Sequence, residues 1–141
     1  MITIQIYTDG SCLNNQAIEV ESPGGYGVVL LSGIHKKTLS GSIKNTTNIR
    51  AEMIAIIEGL RAVKFPCNIE IYTDSQLIVY TIIKKWKRNK NKDLWNEIDL
   101  LISCHNITWN WVRGHAGNQY NEEANTLAQT AASKLALELA K

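Results

Sequence analysis

Cysteine is scarce in this sequence, as are the other features of a secreted or membrane protein. The 141-residue chain has three cysteines and no CxxC pair, which disfavours both a disulfide framework and a zinc site. No run approaches about 20 apolar residues, and the amino-terminal segment lacks the charged start and apolar core of a signal peptide. We therefore expect a protein of a reducing compartment, by default the cytoplasm, with no membrane partner.

A large excess of one charge is also missing from the chain as a whole. The formal net charge is +2, so bulk charge alone indicates no nucleic-acid partner. Positive charge is nevertheless concentrated in residues 84–92 (KKWKRNKNK), which contain six Lys or Arg and no acid. This basic segment is either a solvated helix end or a surface that contacts phosphates. The length and ordinary composition predict a single domain over residues 1–141.

Apolar residues recur along the chain at the spacings of both strands and helices. The predicted strands cover residues 2–9, 26–31, 36–42, 68–73 and 107–112. Predicted helices start within residues 45–48 and end near 64, run from 74 or 75 into the basic segment, cover about 92–104, and follow the loop at 114–117. Three strands in succession, followed by strands that alternate with helices, predict an α/β fold with a mixed sheet covered by helices.

One short string occurs twice. Residues 4–9 are IQIYTD and residues 69–74 are IEIYTD, so two predicted strands end on an aspartate. If these strands are parallel neighbours, Asp9 and Asp74 emerge at the same level, about 4.8 Å apart. The helix predicted between them allows such a crossover, and ligands usually bind at the carboxyl ends of parallel strands.

Each acid near this edge also has a simpler interpretation. Asp9-Gly10 is a hairpin-turn signal, Asp74 could cap a helix, and Glu52 in a first helical turn could favour the helix dipole. Together they indicate a cation site, because two carboxylates about 4–5 Å apart repel by about 3–4 kcal/mol at an effective dielectric of about 20. Glu52 borders the buried stripe of its helix and can point toward the aspartates. Oxygen ligands of this kind suit Mg²⁺ or Mn²⁺.

Several separated motifs make the sequence resemble the type 1 ribonucleases H over nearly its whole length. The matching segments are YTDGSC (7–12), GGYGVVL (24–30), TTNIRAE (46–52), YTDSQ (72–76), DLW (93–95) and ITWNWVRGHAGNQYNEEANTLA (107–128). The resemblance implies a ribonuclease H-like five-stranded mixed sheet flanked by helices. It also implies a monomer that hydrolyses the RNA strand of RNA–DNA hybrids with two Mg²⁺ or Mn²⁺ ions, leaving 5′-phosphate and 3′-hydroxyl ends.

The same resemblance assigns roles to residues of the site. Asp9, Glu52 and Asp74 match three of the family's four metal-binding carboxylates, and His115 matches a histidine that assists proton transfer or product departure. Asn125 stands where the family pattern has the fourth aspartate, and its carbonyl would be a neutral, weaker ligand. Both a natural and an engineered origin of Asn125 are open. The alternatives are a hybrid-binding module in which Asn125 impairs cleavage, and a nuclease of the transposase or integrase type.

The resemblance further implies substrate contacts, although loop and helix-cap chemistry explains several of these residues equally well. In the family, positions that contact the minor groove and sugars match Cys12, Asn15, Asn48 and Gln76. Positions that hold phosphate or support the site match Thr47 and Arg50. The basic segment lies beside the expected hybrid-cutting site, which favours contact of Lys85, Lys87 and Arg88 with phosphates of the DNA strand. The basic segment is shorter than in familiar bacterial members. We interpret Trp109 and Trp111 mainly as sheet packing.

Overall fold

A five-stranded mixed sheet forms the centre of the protein in the computed structural model, which describes residues 2–13, 22–114 and 117–141. The strand order is β3-β2-β1-β4-β5, with β1 antiparallel to β2 and parallel to β4. β2 pairs with β3 in antiparallel fashion, and β4 with β5 in parallel. The strands are β1 (Thr3–Cys12), β2 (Gly24–Ser32), β3 (His35–Ile43), β4 (Asn68–Thr73) and β5 (Asn106–Trp111).

Helices cover both faces of this sheet. They are α1 (Asn48–Arg61), α2 (Gln76–Ile83), α3 (Lys92–Ile102) and α4 (Gln119–Leu139). Alternating side chains of the strands separate the two faces: Ile6 and Val28 pack in the core with α1, whereas Tyr7 and Val29 pack with Ala124 of α4. The predicted α/β class, with a five-stranded mixed sheet between helices, is therefore confirmed.

The repeated string lies in two neighbouring parallel strands. Ile4 pairs with Ile69 and Tyr7 with Tyr72, so the two copies are in register. The two tyrosine rings stack with centroids 4.4 Å apart and planes 9° apart. The predicted parallel pairing is thus confirmed, and the two strands present Asp9 and Asp74 at the same edge.

The structure corrects the predicted end of the first strand. β1 continues through Cys12, with Asp9 opposite Gly27 and Cys12 opposite Gly24. Asp9-Gly10 therefore forms no hairpin turn, and residues 10–12 belong to the sheet rather than to a loop. Apolar alternation stops at Gly10, but backbone pairing with β2 still satisfies the hydrogen-bonding groups of the strand.

Two simpler interpretations of the acids are wrong as well. Ser75, not Asp74, caps α2, because its Oγ accepts a hydrogen bond from Ile78 N at 3.3 Å. Glu52 lies beyond the first turn of α1, which contains no acid, so it does not serve the helix dipole there. Both acids are consequently available for the site.

Several helix ends also differ from prediction. α1 ends at Arg61 rather than near Lys64, and α3 ends at Ile102 rather than at Cys104. α2 ends at Ile83, so most of the basic segment connects two helices. Local spacing alone gives no sharp end point where terminal turns can fray. None of the helices in the described ranges is long and apolar enough to cross a membrane.

Candidate metal centre

Three carboxylates converge where the parallel pairing of β1 with β4 ends. Asp9 is in β1, Asp74 directly follows β4, and Glu52 projects from α1. One oxygen of each lies within 4.8 Å of the others. Asp9 is buried, with 3% of its surface exposed. The cluster therefore brings together the three acids that the sequence predicted, in a partly buried place.

A glycine in β1 allows α1 to come close enough for this arrangement. A Cβ atom at Gly10 would overlap the backbone of Ala51 and Glu52. The absent side chain lets the start of α1 rest directly on the strand, and this contact places Glu52 beside Asp9. The close approach was not predicted, because Gly10 was interpreted as part of a turn.

Two further glycines seat α4 against β2. A Cβ atom at Gly27 would overlap Ala124 O, and one at Gly25 would overlap Ala128 O. Asn125, the residue after Ala124, consequently reaches the carboxylates: its Nδ2 donates a hydrogen bond of 2.6 Å to Asp9 Oδ2. The sequence contained these glycines in the GGYG string, but their role depends on which helix packs there.

Burial and mutual repulsion dominate the electrostatics of the cluster. Burial raises the pKa of Glu52 to about 8, with further contributions from the negative charges of Asp74 and then Asp9. A hydrogen bond with Ser75 opposes this rise in the pKa of Glu52. Asp9 Oδ1 accepts from Gly10 N at 2.9 Å, so one of its oxygens is held by its own strand.

The donor set fits a divalent cation. Among the described residues, Asp74 Oδ1 is buried without a hydrogen-bond partner. A buried carboxylate oxygen in this state is costly unless a cation or donor satisfies it. Oxygen ligands from Asp9, Glu52 and Asp74 match the preference of Mg²⁺ and Mn²⁺, and a cation would also offset the repulsion among them.

Two residues around Asp74 have contacts that sequence reasoning missed. Trp111 was expected to pack in the sheet, but it is 37% exposed and its indole N–H donates to Asp74 O at 3.1 Å. Trp109, in contrast, packs against the core as expected. Gly114 faces Asp74, and a Cβ atom there would lie 3.0 Å from Asp74 Oδ2. Neither contact has a local sequence signal, since both depend on the pairing of β4 with β5.

The predicted groove-contacting residues lie mainly at the ends of elements near the site. Cys12 ends β1 and its Sγ donates to Thr46 O at 3.3 Å. Thr47 caps α1 by accepting from Arg50 N, and the exposed residues Asn48 and Gln76 begin α1 and α2. Two further candidates, Asn15 and His115, lie outside the described residues.

Acidic residues of α3 pair with two of the predicted phosphate-binding arginines. Arg50 makes two hydrogen bonds to the carboxylate of Asp93, at 2.8 and 3.0 Å, and a third to Asn91 Oδ1. Arg88 pairs with Asp99 at 2.6 Å, and its guanidinium lies 4.5 Å from the ring centroid of Trp95.

A cleft runs between the start of α1, α2 and the basic segment. Its volume is about 380 Å³. Apolar side chains form one wall and the basic segment the other; the lining residues are Ile49, Leu77, Thr81, Lys87, Arg88, Asn89, Lys90, Asn91 and Trp95. Lys85 and Lys87 are exposed, so their charges face solvent rather than the core.

Comparisons with known proteins agree with this fold. The RNase H family model matches residues 2–133. A ribonuclease H from Cupriavidus pinatubonensis is 44% identical, over 96% of this chain and 99% of its own length. The crystal structure of LC9-RNase H1, "a type 1 RNase H with the type 2 active-site motif", superimposes with a TM-score of 0.83 at 33% identity, over 95% of this chain and 74% of that chain.

A second solved structure includes nucleic acid. LC11-RNase H1, in complex with an RNA/DNA hybrid, is 26% identical with a TM-score of 0.73, and the match covers 94% of this chain and 98% of that chain. The family model spans most of the chain, and the match covers 99% of the Cupriavidus relative. This chain therefore belongs to the ribonuclease H family and is a nuclease that hydrolyses phosphodiester bonds.

Proposed function

We propose that this chain cleaves the RNA strand of RNA–DNA hybrids and leaves 5′-phosphate and 3′-hydroxyl ends. The observation that carries the proposal is the convergence of Asp9, Glu52 and Asp74, with ligand oxygens within 4.8 Å, in a member of the ribonuclease H family. A related structure in complex with an RNA/DNA hybrid supports the choice of substrate. We further propose that residues 1–141 act as one domain, as a monomer in the cytoplasm.

The proposed cofactors are two Mg²⁺ or Mn²⁺ ions held by Asp9, Glu52, Asp74 and the amide of Asn125. When bound, such ions supply an activated water and neutralise the charge that develops on the leaving oxygen. The protein contributes orientation, because the Gly10 N–H donates to Asp9 Oδ1 and holds that carboxylate against its strand. His115 is proposed to assist proton transfer or product departure, as the family resemblance implies.

Substrate selection is proposed to depend on contacts with 2′-hydroxyls and backbone phosphates. A hybrid differs from duplex DNA by its 2′-hydroxyls, which amide side chains can bind as donor or acceptor. Cys12, Asn15, Asn48 and Gln76 are the proposed groove contacts. Thr47 and Asn48 at the start of α1, and Gln76 at the start of α2, lie where backbone N–H groups favour anions.

The basic side of the molecule is proposed to hold the DNA strand. Lys85 and Lys87 are exposed and carry charge that can neutralise phosphates. Arg50 and Arg88 are proposed to act in the same region, although Asp93 and Asp99 already neutralise much of their charge. We therefore expect the lysines to contribute more to binding than the arginines.

A metal-titrated cleavage assay tests the proposed function. Labelled RNA–DNA hybrid, duplex DNA and duplex RNA are each incubated with the protein in Mg²⁺, Mn²⁺ or EDTA. The proposal expects cleavage of the hybrid's RNA strand alone, its loss in EDTA, and products with 5′-phosphate and 3′-hydroxyl ends.

The variant Asp74→Asn, purified in the same way, controls for contaminating nucleases. It should lower cleavage by at least about 100-fold, because it removes a charged ligand from the cluster. Hybrid binding without cleavage at millimolar metal would instead favour the binding module with a site impaired by Asn125. Equal cleavage of duplex DNA would contradict the proposed substrate.

A further inference from the structure

The amide of Asn125 faces the site as a hydrogen-bond donor. Its Nδ2 lies 2.6 Å from Asp9 Oδ2, and the other oxygen of Asp9 accepts from Gly10 N at 2.9 Å. Each oxygen of Asp9 therefore has an N–H partner in the absence of a cation. Hydrogen bonds donated to a carboxylate are charge-assisted and roughly twice as strong as neutral ones.

An amide nitrogen in this orientation cannot serve as a metal ligand. The Nδ2 group carries two hydrogens and no available lone pair, whereas the Oδ1 atom can bind a cation. For Asn125 to become a ligand, its amide must turn about the Cβ–Cγ bond and give up the hydrogen bond to Asp9. One side chain thus has two roles that exclude each other.

Close packing of α4 on β2 restricts movement of the helix backbone at Asn125. α4 rests on β2 at Gly27 and Gly25, where even a Cβ atom would overlap the helix backbone. Ala124, the neighbour of Asn125, is fully buried in the core. Because α4 already lies against β2, it cannot move closer to the sheet without overlap, and rotation of the amide is the smallest adjustment that exchanges its N–H for its carbonyl.

We propose that Asn125 is a positioning residue with two amide orientations: a donor that stabilises Asp9 in the metal-free protein, and a carbonyl ligand after Mg²⁺ binds. The second orientation rests on the proposed function, because it requires a metal at the three carboxylates. The first does not. The contact makes the metal-free fold more stable and opposes metal binding, because the hydrogen bond to Asp9 is lost when the amide turns.

An aspartate at this position would have the opposite properties. A carboxylate 2.6 Å from Asp9 Oδ2 would replace attraction by repulsion and add a fourth carboxyl group to the cluster. The metal-free protein would then be less stable, and the cation would bind more tightly. Asn125 therefore makes the metal-free protein more stable and lowers its affinity for the metal, compared with an aspartate.

The side-chain amide of Asn125 can be followed directly by NMR in a ¹⁵N-labelled sample without nucleic acid. Its pair of NH₂ signals is assigned by its absence from Asn125→Asp. Without metal, we expect slow exchange of these protons with water compared with the exposed amide of Gln129, one helical turn away. Addition of MgCl₂ should shift the Asn125 signals and accelerate their exchange, while the Gln129 signals stay unchanged.

Two variants of Asn125 test both effects: thermal melting gives the metal-free Tm, and calorimetric titration gives the Kd for Mg²⁺. Asn125→Asp should lower the metal-free Tm by roughly 3–8 °C and tighten the Kd for Mg²⁺ about tenfold. Asn125→Ala removes donor and ligand together, so its Tm should fall less and its Kd should not tighten. Gln129→Glu makes the same amide-to-acid change on the exposed face of α4 and should alter neither quantity.

Two results would contradict the proposal. A metal-free Tm of Asn125→Asp at or above that of the wild type would overturn it, as would wild-type Asn125 protons that exchange as fast as those of Gln129. Should Asn125→Asp fail to fold, the spectrum of Asn125→Ala supplies the assignment instead, and the wild-type exchange rates still decide. None of these measurements uses a hybrid, so a failure here is distinct from absent cleavage, which would overturn the proposed function alone.

Discussion

The carboxylate cluster and the α3 ion pairs differ in the charges that they bring together. The α3 ion pairs are Arg50–Asp93 and Arg88–Asp99. In the cluster, three acids from different elements approach within 4.8 Å of one another. In the α3 ion pairs, each acid meets an arginine at 2.8 or 2.6 Å. The first arrangement brings acidic groups together, whose repulsion a bound cation would offset, whereas the second pairs opposite charges within the chain.

The pKa values of two carboxyl groups express this difference. Burial, followed by the charges of Asp74 and Asp9, raises the pKa of Glu52 to about 8. Hydrogen bonds from Arg50 lower the pKa of the exposed Asp93 to about 2. The comparison shows that the position of like charges, and not the number of charges, distinguishes a binding site from a structural ion pair in this protein.

The largest expected effect is on the stability of the metal-free protein as pH rises. The folded-state pKa of Glu52, about 8, lies above its ordinary value of about 4.5, so the folded protein retains a proton that the unfolded chain releases. The resulting stability is complete below about pH 4.5 and is lost as pH approaches 8. We expect urea unfolding to show a loss of roughly 2–5 kcal/mol over that range, reduced by saturating Mg²⁺.

The variant Glu52→Gln should remove most of this slope. Asp93→Asn is the matched control from the α3 ion pairs, because Asp93, with a pKa of about 2, is charged throughout the same range. Its unfolding curve should run parallel to that of the wild type between pH 4.5 and 8. A wild-type slope that Glu52→Gln leaves unchanged would show that repulsion in the cluster does not control stability.

An intermediate effect is expected from the exposed lysines of the basic segment. Lys85→Asn together with Lys87→Gln should raise KM for the hybrid about 3–10-fold, leave kcat nearly unchanged and reduce the salt dependence of binding. Asn suits position 85, where φ is 54°, because its side chain tolerates this left-handed conformation.

Lys134→Gln removes an exposed lysine from α4 and serves as the control for net charge. It should change KM and the salt dependence little. If all three substitutions reduce binding equally, total charge rather than the basic segment steers the hybrid to the protein.

The smallest effect is expected at Arg88–Asp99. A double-mutant cycle with Arg88→Gln and Asp99→Asn should give a coupling free energy of about 0.2–1 kcal/mol, because the pair is partly exposed and screened by solvent. Contact with the Trp95 ring adds stability that depends on Arg88 alone. A coupling free energy above about 3 kcal/mol would mean that solvent does not screen this pair. It would contradict the distinction between an exposed ion pair and the buried carboxylate cluster.

Much of the fold could be predicted because local and periodic signals agree with the tertiary structure. The repeated YTD string predicted the parallel pairing of β1 and β4, and the helical spacing predicted α1 between them. The end of β1 was predicted wrongly, since pairing of Gly10 and Cys12 with β2 leaves no apolar alternation. Apolar alternation does not predict a strand segment that is held by backbone pairing rather than by side-chain burial.

The candidate site was predictable in its acids but not in their surroundings. Asp9, Glu52 and Asp74 were grouped by strand ends and by resemblance, and the fold brings them together. The contacts of Trp111 with Asp74 and of Ser75 with Glu52 could not be read from the sequence, because each joins residues from different elements. The same holds for the neutralisation of Arg50 by Asp93.

The sequence by itself determined the fold class, the parallel repeat and the three acids of the cluster, because periodicity and strand-end acids are local properties. Only the tertiary structure decided how tightly these groups sit and which atoms face each other. Glycines at 10 and 27 bring α1 and α4 against the sheet, and this packing raises the pKa of Glu52 and turns the Asn125 amide toward Asp9. Burial and close approach are properties of packed elements, so no segment contains them alone.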